Sequence, residues 1–163
     1  MAHWLIKEEP THYSFADFER DRETVWNGIH NALALRNLRS MRPGDSGFYY
    51  HTGSEKAIVG VFDVAGTPEV DPDDSRGSWR VRVRSVRALV NAIPLARLRG
   101  DRRFAAFDLV RISRLSVVTV PDPLWEILMA MGEGEPRRST GQSGSPRPRR
   151  KRSSARARRR GST

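Results

Sequence analysis

SGFYYHTGSEKAIVGVFDVAG, residues 46–66, holds two runs rich in aromatic and β-branched residues, joined by only Gly53-Ser54-Glu55. A link that short predicts a hairpin, so 46–52 and 56–66 pair antiparallel. Upstream, HWLIK at 3–7 is a short strand ended by Glu8-Glu9-Pro10. Ser14, three residues before Asp17, marks a helix start. Val25-Trp26-Asn27-Gly28 reads as a turn, because Asn-Gly tolerates positive φ. Leu33, Ala34, Leu38 and Met41 form one stripe of a helix from about Asn31 to Met41, which Pro43-Gly44-Asp45 ends. Downstream, Trp79, Val81, Val83 and Ser85 alternate with Arg80, Arg82 and Arg84, predicting a half-buried strand with an arginine-rich outer face. Residues 94–99 form a short helix. Residues 109–120 are expected to be extended, and a helix over 121–131 follows, with Gly132 at its end. Helices interleave with hairpin-linked strands. That is an α+β pattern: a mixed, strongly bent sheet or small barrel with helices outside, rather than a doubly wound parallel sheet.

Charge divides the 163 residues in two. Residues 1–134 carry 18 Lys+Arg and 18 Asp+Glu, whereas 135–163 carry 11 Lys+Arg and one Glu, which accounts for the net charge of +10. The second part is Arg, Ser, Gly and Pro without an aromatic or large aliphatic residue, a composition that cannot bury a core and is expected to be disordered. The expected organisation is one domain over 1–134 and an Arg-rich tail over 135–163. Within that tail Arg149, Arg150, Lys151, Arg152, Arg158, Arg159 and Arg160 are candidate phosphate contacts. Such a block binds polyanions through counterion release, with salt sensitivity and no sequence preference.

Cysteine is absent, which removes disulfides, zinc ribbons and thiolate nucleophiles. The four histidines, at 3, 12, 30 and 51, have no helical ligand spacing, so no metal and no cofactor is expected. No run approaches the ~20 apolar residues of a membrane span. The WLI run is followed at once by charge, unlike a signal peptide. Arg-for-Lys usage fits a GC-rich bacterial source. The expected location is cytoplasmic, with association to the nucleoid open.

Several flat or hydrogen-bonding side chains stand beside turns or at strand ends: Trp26, Asn31, Tyr50, His51, Arg114 and Ser116, with Lys7 and Glu9 nearby. Brought together they would make a concave site for a flat, hydrogen-bonding ligand such as a nucleobase. Each has a plainer role open to it. Trp26 and the tyrosines suit a core, Asn31 suits a helix cap, and Ser116 suits an edge strand. Glu9 and His51 could serve as an acid–base pair.

The ordered set HWLIKEEP, YSFAD, VWNGIHNALALRNLRSMRPGDSGFYYHT, IVGVFDV and SRLSVVTVPDPLWEIL resembles the EVE domain over about 1–132. Asn27, His30, Ala32 and Thr52 depart from the usual family residues, and the stretch around 65–79 is short. The resemblance implies a PUA-like bent β-barrel with flanking helices, related to YTH and ASCH domains. It also implies a non-enzymatic reader of DNA or RNA carrying a modified base, with modified cytosine in DNA foremost. By position, Trp26, Asn31, Tyr50, His51, Arg114 and Ser116 would form or border the pocket, with Lys7 and Glu9 at its rim. The alternatives are a small hydrolase acting on a modified nucleoside or RNA, using Glu9 or His51, and a protein-interaction module.

Overall fold

The structure, a computed structural model, describes residues 1–134. Strand β1 (His3–Glu8) leads to helix α1 (Phe15–Asp21), β2 (Glu23–Trp26), α2 (Ala32–Ser40), β3 (Ser46–His51), β4 (Ala57–Val64), β5 (Glu69–Val70) and β6 (Trp79–Pro94). Helices α3 (Leu95–Arg99) and α4 (Asp108–Arg111), strand β7 (Val117–Thr119) and helix α5 (Asp122–Glu133) complete it. The strands form one mixed sheet in the order β2-β6-β4-β3-β1-β7, with β5 on β6. Only β1 and β3 run parallel; β3 and β4 are the expected hairpin. Register shifts at Ile58/Gly60 and Val61/Phe62 mark bulges between β4 and β6, which add twist and help the sheet curl into a half-barrel.

The core follows from alternation on β3. Phe48 packs against Trp125 of α5, with ring centroids 4.3 Å apart. Tyr49 points the other way, into a cluster with Phe15, Phe18 and Trp26. Both faces are covered, so every residue from Gly47 to His51 is buried. Helix α1 starts at a full capping box: the Ser14 side chain accepts from Asp17 N, and the Asp17 carboxylate accepts from Ser14 N.

Three local expectations change. Val25 and Trp26 belong to a strand, because Thr24, Val25 and Trp26 pair with Val83, Arg82 and Val81 of β6; the turn begins only at Asn27. Of residues 109–120 only Val117–Thr119 is a strand, since β7 pairs with β1 at Trp4–Ile6 and no further, while Leu109–Arg111 is helical. Helix α5 runs through Gly132 to Glu133. That glycine is a packing point rather than a cap: a Cβ there would lie 2.8 Å from Leu89 of β6.

Candidate functional site

The curled sheet does not close. Its two end strands, β2 on one side and β1–β7 on the other, leave a seam. There lies a cavity of about 530 Å³, lined among others by Lys7, Glu8, Tyr13, Trp26, Gly28 and Ser116. Trp26 supplies an aromatic wall. It is 6% exposed and sits edge-on to Tyr49 at 5.7 Å, so one side of the ring belongs to the core. The Tyr49 hydroxyl donates to Tyr13 O at 2.5 Å, and the Tyr13 hydroxyl donates to Asp21 at 2.9 Å. Burial, then the Asp21 contact, raises the Tyr13 pKa; burial raises that of Tyr49 strongly. Both rings therefore stay neutral near pH 7. Opposite them, β7 stops short of Lys7, whose amide donates to Ser116 O at 3.0 Å. The 27–31 loop is held by the buried Ser78 hydroxyl, which donates to Ile29 O, and by His30 between Asp74 and Arg76, both at 2.7 Å.

The structure brings Trp26, Ser116 and Lys7 to this cavity; the others lie elsewhere. Asn31 is exposed and outside the lining. Its Oδ1 accepts from Ala34 N at 3.0 Å and caps α2. Asn31→Ala should therefore cost about 1 kcal/mol of stability, with Asn31→Asp close to neutral; denaturant melts of both variants check this. His51 is buried with both ring nitrogens engaged: Nε2 accepts from Phe15 N at 3.0 Å, so Nδ1 carries the proton and donates to Glu55 at 2.7 Å. Tyr50 lines a separate cavity of about 150 Å³, which shares only Lys7 with the first. Arg114 is exposed in a turn. Glu9 sits beneath the β3–β4 loop, accepting from Thr52 at 3.3 Å. Gly53 there has φ +78 and lies so close that a Cβ would meet the Glu9 carboxylate at 2.6 Å. The candidates at 149–160 lie outside the described residues. Sequence reasoning missed Glu8 and Tyr13 as lining; Tyr13 was legible only as the approach to a helix.

Charge on the domain is unevenly paired. Arg80 bonds Glu69 at 2.9 Å, and Arg84 bonds Glu23 at 2.6 Å with Arg82 at 4.0 Å, so the outward arginines of β6 are largely neutralised. Arg36, Arg39 and Arg42, at helical spacing from α2 onward, have no carboxylate partner among the described residues. They flank a groove of about 840 Å³ in which Arg39 lies 4.5 Å from the Trp79 ring centre. Among the described residues no helix is long and apolar enough to cross a membrane, and no cluster of His, Asp and Glu could hold a metal.

A curled mixed sheet with helices outside it is the PUA-like architecture. Within it, residues 2–131 match the EVE domain, and the chain belongs to that family. Thymocyte nuclear protein 1 of Homo sapiens is 25% identical over 170 residues, covering 83% of this chain and 76% of its own. A Rhodopseudomonas palustris protein solved by NMR has 32% identity and a TM-score of 0.76, over 81% of this chain and 93% of that one. Human THYN1, crystallised in complex with 5-methylcytosine-containing DNA, has 24% identity and a TM-score of 0.73, over 83% and 100%. The YTH domain of the Zygosaccharomyces rouxii MRB1 protein, in complex with N6-methyladenosine RNA, has 16% identity and a TM-score of 0.53, over 82% and 87%.

Proposed function

We propose that this protein is a non-enzymatic reader that binds DNA or RNA through a modified base, with modified cytosine in DNA as the leading ligand. The observation that carries this reading is the seam cavity. It has room for a base, Trp26 in its wall, and hydrogen-bonding side chains at Ser116 and Glu8. Aromatic stacking of a base is worth about 1–3 kcal/mol, and extruding a base from a duplex costs a few kcal/mol. Single strands should therefore bind more tightly than duplexes. The human relative was crystallised with DNA containing 5-methylcytosine, and a YTH domain of similar fold with RNA containing N6-methyladenosine, which supports a methylated base as the ligand class. A hydrolase working through Glu9 and His51 gains little support, because His51 is bonded at both nitrogens and neither residue lines the seam.

Titration with a panel of modified nucleosides and short oligonucleotides tests the proposal. Saturable preference for one modified base supports it. Turnover of the ligand would establish an enzyme, and silence across the panel would establish an interaction module.

We infer that basic residues of 135–163 contact the phosphates, with the α2 arginines as a second contributor. Deleting 135–163 should leave the melting temperature unchanged and flatten the slope of log affinity against log salt. A slope that stays steep in 1–134 would give the phosphate contact to cations of the domain instead.

A further inference from the structure

The second cavity, on the Tyr50 side of β3, has a chemistry that base binding does not use. Tyr50 is 3% exposed and lines it, yet its hydroxyl has no hydrogen-bond partner among the described residues. No buried side-chain oxygen or nitrogen among those residues lacks a partner, so the Tyr50 hydroxyl keeps its accessible surface, and that surface faces the cavity. Around it stand Lys7, Lys56 and Arg99, with no carboxylate in the lining. None of the three forms an ion pair among the described residues. Leu95 and Leu109 supply apolar wall, which strengthens any ionic contact made there.

Of the three cations the Lys7 ammonium is fixed in place, while Lys56 and Arg99 are exposed side chains on a tethered backbone. Lys7 faces Tyr50 directly across the β1–β3 register, and its ammonium lies 5.6 Å from the ring centre. It donates to Ser113 O at 3.0 Å, which leaves two of its three donors unused. Lys56 adopts φ +46, a left-handed conformation unfavourable for a residue other than glycine. Its carbonyl accepts from Leu95 N at 2.8 Å, which ties the Lys56 loop to the first turn of the helix that carries Arg99. The carboxylate of Glu9 lies behind the wall, bonded to Thr52 and close against Gly53, so the lining itself presents cations and a hydroxyl to the cavity of about 150 Å³.

We propose that this cavity is a phosphate site, in which Lys7, Lys56, Arg99 and the Tyr50 hydroxyl donate to the oxygens of one phosphate group. Three cationic donors and a hydroxyl in a lining without a carboxylate suit a phosphate, which carries more charge and more acceptor oxygens than a carboxylate, and the Arg99 fork can hold two of its oxygens. The phosphate comes either from the strand whose base occupies the seam, since Lys7 lines both cavities, or from a small phosphorylated molecule that binds independently.

The test is an amide NMR titration of the full chain with sodium phosphate against sodium chloride at matched ionic strength. Saturable, phosphate-specific shifts at Tyr50, Lys56 and Arg99 are expected. Arg99→Gln should weaken the affinity roughly tenfold and Tyr50→Phe several-fold. Both changes spare the core, because Arg99 is exposed and Phe keeps the ring. No saturable shift at these amides, or affinities unchanged in both variants, would overturn the site. Titration with 5-methyl-2′-deoxycytidine 5′-monophosphate then separates the sources. Tyr50 and Trp26 signals that saturate with one dissociation constant identify a nucleotide spanning both cavities; two constants identify an independent anion. Because inorganic phosphate carries no base, the base-reading proposal can fail while this one stands, and the reverse.

Discussion

Replacing Trp26 by alanine should destabilise the domain by about 3–5 kcal/mol, the usual range for deleting a buried aromatic side chain. The ring is 6% exposed, ends a strand paired to β6, and meets Tyr49 edge-on. A tryptophan beside Asn-Gly suggests a tolerant turn position, and a substitution there would then spare the fold. The structure corrects that: the ring is almost wholly buried, and the little surface it keeps lies at the seam. Trp26→Ala therefore confounds stability with binding, and Trp26→Phe separates them. Phenylalanine keeps the edge contact and should cost about 1–2 kcal/mol, while shrinking the stacking surface in the cavity. Affinity for the modified base should fall at least tenfold, equivalent to about 1.4 kcal/mol. Denaturant melts give the first number and a titration under native conditions the second. A Trp26→Phe protein that binds like the wild type would remove Trp26 as the stacking wall.

Asp45→Ala should cost about 3 kcal/mol or more, because three donors lose one acceptor group. Asp45 is 5% exposed. Its Oδ2 accepts from Trp4 Nε1 at 3.0 Å and from Arg42 N at 2.9 Å, and its Oδ1 accepts from Ala2 N at 3.2 Å. This carboxylate fastens the start of β1 and a buried indole to the turn between α2 and β3. Asp45→Asn keeps the shape and one acceptor oxygen, so it should recover part of the loss. Equilibrium denaturation of the two variants measures the difference. Equal stability of Asp45→Ala and wild type would mean that water replaces the carboxylate at all three donors.

What the sequence made legible was local. Ser14 with Asp17 announced the α1 cap, the alternation of Trp79–Ser85 announced β6, and Gly53-Ser54-Glu55 announced the β3–β4 hairpin. The seam was not legible, because it joins β2 to β1 and β7, and no periodicity records which strand ends fail to meet. Asn31 shows the same divide. Its place before an apolar stripe was a capping signal, and that local role uses its side-chain oxygen. Tyr50 and His51 were visible as a strand end. Their separation onto opposite faces follows from alternation, but the covering of both faces follows from α1 and α5, which pack from distant parts of the chain. Alternation also placed Arg80, Arg82 and Arg84 outward. Only the register reveals Glu23 and Glu69 beside them, which turns an arginine-rich outer face into a row of cross-strand ion pairs.

The seam between β2 and β1–β7 is the proposed seat of the modified base. Amide and indole NMR signals, followed while the full chain is titrated with a short single strand carrying one 5-methylcytosine and with the same strand unmodified, test it most directly. The Trp26 indole and the Gly28 and Ser116 amides should shift with the methylated strand at a markedly lower dissociation constant than with the unmodified one. Equal affinities, or shifts confined to Trp79 and the α2 arginines with the seam signals unmoved, would contradict it.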